Sequence, residues 1–333
     1  MDDHDLEKGP LHNAQQLTGG TQNILIRFKR GQREFVFRRP PQHVRSNSNE
    51  IMRRETRVLA ALANTRVPHP NLIAACLDEN VLGAVFYLME SVDGFNPIEG
   101  LPETHVENPS IRHRMGVSMI EALSELSGID YQKAGLEGFG HTENYLERQV
   151  ERWSQHLLSY NNVQEWYGDT DFAELSMVRE WLATNTPKDF TPGLIHGDYH
   201  LGNVIFPRDS GDVSAIVDWE LSTIGDPLLD LGWLLATWPE GVEIQPEDVG
   251  VNPFTGFPSH AELIEAYSKL AARPIDHLNW YAVLACYKMA IIVEGTNARA
   301  CAGKAPREVG DRLHDKAIGL FARAGRWVEN PIH

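Results

Sequence analysis

The residues His196-Gly197-Asp198-Tyr199-His200-Leu201-Gly202-Asn203, followed by Asp218-Trp219-Glu220, have the types and order that phosphoryl transfer needs. The carboxylate of Asp198 can accept a proton from an attacking hydroxyl. Asn203 and Asp218 can hold Mg²⁺ against the phosphates of a nucleotide, the division of labour that recurs in phosphoryl transfer. Mg²⁺ takes oxygen ligands and keeps several waters, so one amide oxygen and one carboxylate suit it. Taken singly, an Asn and an Asp at strand ends are ordinary caps. His196, Asp198, Asn203 and Asp218 in this order form a set that capping does not explain.

The elements around these residues must bring them together. Val204 to Phe206 reads as a short apolar strand, and Pro207-Arg208-Asp209-Ser210-Gly211-Asp212 is turn material. Val213 to Val217 reads as the returning strand. Antiparallel pairing then places Asn203 and Asp218 side by side at the open end of one hairpin. Glu220 has two open readings, a second carboxylate acting on the metal through water or the end of a surface strand.

The amino-terminal part supplies a phosphate-facing candidate. Leu17-Thr18-Gly19-Gly20-Thr21-Gln22-Asn23 precedes the strand-like Ile24-Leu25-Ile26-Arg27-Phe28, and adjacent glycines let backbone N–H groups approach phosphate closely. It is neither a dinucleotide-binding nor a P-loop pattern. Arg33 to Arg39 alternates as a strand does. Asn49 to Leu62 has helical periodicity, with Glu55 on the same face as Ile51, Val58 and Leu62. A carboxylate on an apolar face is costly unless paired, and the natural partner for Glu55 is Arg38.

Length and composition are those of a globular chain. Its 333 residues, 42% apolar, are ample for a large core or two domains. A formal net charge of −16 argues against a nucleic-acid-binding surface, which demands clustered Lys and Arg. Cys76, Cys286 and Cys301 are odd in number and widely spaced, and they read as free thiols in a reducing, cytoplasmic compartment. The start Met1-Asp2-Asp3-His4-Asp5 lacks a secretory apolar core. Trp280 to Val293 is mostly apolar, but Lys288 interrupts it and it is too short to span a bilayer, so it is expected to be a buried helix.

The motif set resembles the aminoglycoside phosphotransferase and choline kinase-like family, whose signature is His-Gly-Asp, an Asn five residues after the Asp, and a metal-binding Asp on the next strand. The resemblance implies an α+β, two-lobed protein-kinase-like fold, with residues 1–92 as a small nucleotide-binding lobe of sheet plus one helix. Residues 93–333 would form a mostly helical lobe with the catalytic loop, metal site and acceptor pocket. It implies that Asp198 is the catalytic base, that Asn203 and Asp218 bind the metal, that His196 holds the catalytic loop, and that Asp230 braces it. The alternative for Asp230 is a helix N-cap, and both roles are compatible. Gly19, Gly20, Thr21 and Asn23 fall in the nucleotide loop. Arg38 stands where a phosphate-binding Lys is usual, paired with Glu55. Val85 to Glu90 resembles the strand into the hinge, with Met89 behind the base and the Glu90 carbonyl and Val92 N–H on adenine.

A narrower resemblance rests on Gly135-Leu136-Glu137-Gly138-Phe139-Gly140, Tyr145 to Trp153, Phe37-Arg38-Arg39-Pro40-Pro41 and Tyr287 to Gly295. These segments are similar to the kinase-like domains fused to acyl-CoA dehydrogenases. They imply ATP and Mg²⁺ as cofactors and a small-molecule hydroxyl acceptor, such as a hydroxyacyl-CoA, with neither nucleic acid nor membrane as partner. Three other readings stay open: an aminoglycoside or amino-alcohol kinase, a non-catalytic nucleotide- or acyl-CoA-binding module, and a metal-dependent hydrolase using His196, Asp198 and His200. Helices are expected over Arg112–Leu126, Tyr145–Leu158, Ala261–Ala272 and Trp280–Asn297.

Overall fold

The computed structural model describes residues 6, 8–17, 23–41, 47–163, 165–166, 168 and 170–332. The first part is an antiparallel sheet of β1 (His12–Gln16), β2 (Ile24–Arg30), β3 (Arg33–Arg39), β4 (Leu72–Cys76) and β5 (Phe86–Glu90), in the order β1-β2-β3-β5-β4. Helix α1 (Ser48–Leu62) lies against it. Alternation along β3 separates two faces. Phe35 stacks on Phe28 at 5.6 Å between ring centroids and joins Leu6 and Leu88 in a small outer cluster. Val36 points the other way, toward Met52, Leu59 and Leu62 of α1, in a core that continues into the helical part.

The rest is mostly helical. It comprises α2 (Glu103–Glu107), α3 (Pro109–Ser127), α4 (Glu147–Ser159), α5 (Leu175–Thr184), the short strands β6 (Gly193–Ile195), β7 (Val204–Ile205), β8 (Ala215–Ile216) and β9 (Thr223–Gly225), then α6 (Leu228–Thr237), α7 (His260–Leu270), α8 (Leu278–Cys301) and α9 (Arg307–Glu329). This is the two-lobed α+β fold expected from the sequence. All ten residues of α6 are buried, so any polar group on it faces protein rather than water. No helix among the described residues is long and apolar enough to cross a membrane. Cys76, Cys286 and Cys301 are unpaired.

The expected hairpin forms with β7 and β8 in register, Val204 opposite Ile216 and Ile205 opposite Ala215. It is shorter than the apolar runs suggested because its flanks have other partners. Phe206 exchanges two backbone hydrogen bonds with Phe95, at 2.8 and 3.0 Å, and Ser118 Oγ donates to the Gly211 carbonyl at 2.7 Å. The bridge to Phe95 ties the segment between the lobes to the β7–β8 hairpin. Gly94 makes the passage possible, since at φ +150° a Cβ would lie 2.3 Å from the Phe206 carbonyl oxygen. Expected helix limits shift elsewhere too. The helix expected from Tyr145 begins at Glu147, where the Gln149 backbone N–H donates to the Leu146 carbonyl at 3.0 Å and the Tyr145 carbonyl accepts from the Gln149 side chain instead.

Candidate active site

The loop that carries His196 and Asp198 leaves β6 at Ile195 and is held by α6. Asp230 accepts from the backbone N–H of His196 at 2.6 Å and of Gly197 at 2.8 Å, one on each carboxylate oxygen. It sits in the first turn of α6, inside the helix, so the N-cap reading gives way to a brace on the loop. Burial pushes its carboxyl up, against the pull of His196 and the two N–H donors. Gly197 has φ +87°, and a Cβ there would lie 2.5 Å from the Leu221 carbonyl oxygen.

His196 is fully buried. Its Nε2 donates to the Val217 carbonyl at 2.9 Å, its Nδ1 accepts from Asp198 N–H at 3.3 Å, and its ring meets Trp219 edge-on at 4.8 Å. The imidazole thus locks the loop to the segment that carries Asp218. With both ring nitrogens bonded it has no lone pair for a transition metal, which removes the hydrolase reading.

Three donors converge on the part-buried Asp198. Trp233 Nε1 reaches Oδ1 at 2.8 Å, Asn203 Nδ2 reaches Oδ2 at 3.0 Å, and His200 Nε2 lies 3.3 Å from Oδ1. His200 Nδ1 accepts from Gly202 N–H, so Nε2 carries the hydrogen. Burial alone would raise the Asp198 carboxyl, but His200, His196 and Asn203 outweigh it and hold it well below the usual carboxylate range. Trp233 and His200 were not singled out by the sequence as partners of Asp198.

Asn203 and Asp218 meet where the hairpin opens, and Val217 N–H donates to the Asn203 carbonyl at 2.9 Å. Asn203 spends its amide N–H groups on the Asp198 carbonyl at 2.8 Å and on Oδ2, which leaves its amide oxygen as the unused acceptor among the described residues. Asp218 takes a left-handed backbone, φ +67° and ψ +61°, which costs energy outside glycine and recurs at functional sites. Its carboxylate is 40% exposed. One amide oxygen and one accessible carboxylate are a donor set that fits Mg²⁺.

Arg38 connects the sheet to this site. Nε and Nη2 contact the two oxygens of Glu55 at 3.1 and 2.8 Å, and Nη2 also donates to Asp218 Oδ1 at 2.6 Å. Glu220 lies 3.7 Å away and accepts from Asn23 Nδ2 at 3.2 Å, so it tethers the residue just before β2 and is not a free surface carboxylate. The strand-to-helix pair expected for Arg38 and Glu55 is therefore present, joined by two further carboxylates. Gly19, Gly20 and Thr21 lie outside the described residues. Met89 is buried opposite Val36, β5 ends at the exposed Glu90, and the half-buried Val92 follows in the segment joining the lobes.

Burial, followed by repulsion from Asp218 and Glu220, pushes Glu55 up to about 7 against the attraction of Arg38. The unfolded chain releases this proton near the ordinary 4.5. Between these values the folded chain binds more protons, so Glu55 makes stability decline as pH rises from about 4.5 to about 7. Urea unfolding at a series of pH values is expected to show a smaller decline over that window in Glu55→Gln. An unchanged slope would contradict the assignment.

A cavity of about 870 Å³, lined by Trp181, Lys188, Arg273 and His277 among others, lies apart from this cluster and shares only Asp226 with the loop before α6. The chemistry-bearing groups gather instead between the sheet and the catalytic hairpin.

The sequence model of the phosphotransferase enzyme family matches residues 13–263. The chain belongs to this family. Acyl-CoA dehydrogenase family member 11 of Homo sapiens is 33% identical over 300 residues, which cover 86% of this chain and 36% of that protein. The curated relatives that it matches are longer, and the matched region spans 27–38% of their length. A crystal structure from Ralstonia eutropha, solved as a candidate aminoglycoside phosphotransferase, superposes with a TM-score of 0.80 at 28% identity, covering 98% of this chain and 96% of that one. A thermostable mutant of aminoglycoside phosphotransferase APH(4)-Ia, in ternary complex with AMP-PNP and hygromycin B, shares the fold with a TM-score of 0.60 at 16% identity, covering 95% and 94%.

Proposed function

We propose that this phosphotransferase moves the γ-phosphoryl group of ATP to a hydroxyl of a small molecule, with Mg²⁺ held by Asn203 and Asp218 and with Asp198 acting on the acceptor. The observation that carries this reading is the junction of Asp198 and Asn203, where the amide donates to the carboxylate and turns its oxygen away as a ligand. Bound Mg²⁺ would neutralise charge on the transferred phosphoryl group. Residues 1–92 act as the nucleotide lobe, with Gly19, Gly20, Thr21 and Asn23 over the phosphates and Met89, Glu90 and Val92 at the base. Residues 93–333 carry the catalytic loop and the acceptor pocket.

Asp198 aligns the acceptor hydroxyl through whichever carboxylate lone pairs its three donors leave open. Its low basicity fits a loose transition state, in which the proton leaves late and the carboxylate mainly positions and stabilises. Arg38 holds Asp218 and Glu55 in one frame, so the lobes meet in a fixed register. The acceptor proposed is a hydroxyacyl-CoA, supported by the likeness to a segment of acyl-CoA dehydrogenase family members. An aminoglycoside or amino alcohol is the competing acceptor, favoured by the Ralstonia eutropha structure.

The test is a transfer assay with ATP, Mg²⁺ and a panel of hydroxyacyl-CoAs, amino alcohols and aminoglycosides, read by mass spectrometry of the acceptor. Phosphorylated hydroxyacyl-CoA is expected. ATP binding with neither phosphorylated product nor slow Mg²⁺-dependent hydrolysis would replace this reading with that of a non-catalytic module.

A further inference from the structure

Lys288 sits in the middle of α8, between Tyr287 and Met289 and one turn after the fully buried Leu284. A cation in such a position is costly unless it is paired. Its Nζ lies 5.5 Å from the ring centroid of Trp153 on α4 and 5.4 Å from that of Trp233 on α6. Both distances suit attraction between an ammonium and an indole face. Yet Lys288 makes no hydrogen bond or ion pair among the described residues.

The nearby carboxylates do not complete it. Asp230 and Asp198 both attract the ammonium, while burial pushes it down to about 8 and Arg152 on α4 repels it. Neither carboxylate comes within 4 Å of Lys288 Nζ, and the Asp230 oxygens face the N–H groups of His196 and Gly197 while those of Asp198 face Trp233, Asn203 and His200. A second donor beside Lys288 is also unspent, because Trp153 Nε1 is buried without a hydrogen-bond partner. Lys288 is half-buried with an unpartnered ammonium, and a buried donor such as Trp153 Nε1 is normally satisfied, so the two together offer a donor pair to a ligand acceptor. The link to the chemistry is Trp233, which faces Lys288 with its ring and donates to Asp198 with its indole nitrogen.

We propose that Lys288 Nζ and Trp153 Nε1 form an acyl-oxygen subsite of the acceptor pocket, donating to a carbonyl or carboxylate oxygen of the acceptor and so setting its hydroxyl against Asp198. This rests on the phosphotransferase reading above and narrows its acceptor class. An ammonium-bearing acceptor would meet the ammonium of Lys288 and be repelled.

The experiment compares three acceptors with the same hydroxylated chain: the CoA thioester, the free hydroxy acid and the amino alcohol. Wild type, Lys288→Gln, Lys288→Arg and Trp153→Phe are assayed with each, and Mg·AMP-PNP binding checks that every variant is folded. Wild type is expected to favour acyl-bearing acceptors by at least about tenfold in kcat/KM. Lys288→Gln is expected to lose roughly 10–100-fold on them, mainly in KM, the scale of one charge-assisted hydrogen bond. Lys288→Arg should restore part of the loss, and Trp153→Phe should show a smaller loss of the same pattern. A loss confined to the thioester identifies the carbonyl as the ligand, and one confined to the free acid identifies the carboxylate. An equal loss on all three acceptors, or a wild-type preference for the amino alcohol, overturns the subsite and leaves phosphoryl transfer standing. Transfer to no acceptor by wild type overturns the phosphotransferase reading, and the subsite with it.

Discussion

Asp198→Asn is expected to lower kcat by about 10³-fold while leaving nucleotide affinity and the melting temperature close to wild type. The substitution keeps the shape of the side chain and an oxygen able to accept from Trp233 Nε1. It removes the charge that faces the hydroxyl, and with the oxygen kept on Trp233 it turns an amide donor toward Asn203 Nδ2, where the carboxylate now accepts. ATP and the metal ligands are otherwise untouched, so binding and turnover should separate. Steady-state kinetics with calorimetric nucleotide titration make the check. A variant with the normal rate would remove Asp198 from the chemistry.

Arg38→Met should do the opposite, damaging the fold and nucleotide binding together. Among the described residues, Arg38 is the cation within 4 Å of Glu55, Asp218 and Glu220, and Glu55 is only 1% exposed. Above about pH 7, where Glu55 is ionised, removing one side of the buried pair leaves the other charge uncompensated, at a cost of about 3–5 kcal/mol. Adding Glu55→Gln to Arg38→Met should recover much of that stability, because the residual buried charge is then gone, but not the alignment of Asp218. Arg38→Lys should fall between, since one ammonium cannot match the fork that spans Glu55 and Asp218. Denaturant unfolding of the three variants tests this. A single mutant as stable as wild type would show that Arg38 is not the keystone of the carboxylate cluster.

Much of this site was legible in the sequence because its parts are local. The hairpin that joins Asn203 to Asp218 is a property of two short apolar runs and a turn, and the pairing of Glu55 with Arg38 follows from a carboxylate on an apolar helical face. What the sequence hid depends on long-range packing. Trp233 lies in a run of ten buried residues, where an indole reads as core, and nothing in the periodicity shows that its N–H reaches back 35 positions to Asp198. Glu220 looked equally like a surface strand end and a metal-site carboxylate. The structure instead gives it Asn23 and Arg38, partners 197 and 182 positions away. Lys288 read as an interruption in an apolar stretch, and only the meeting of α4, α6 and α8 places it between two tryptophans. The strand ends were lost for a similar reason, since Phe206 is drawn out of the hairpin by Phe95 in the other direction.

The most direct measurement is a crystal structure of the protein with Mg²⁺ and AMP-PNP. It should show one metal ion bound through Asn203 Oδ1 and the Asp218 carboxylate, with the terminal phosphate facing Asp198. A metal ion held by other residues, or a terminal phosphate turned away from Asp198, would contradict the account.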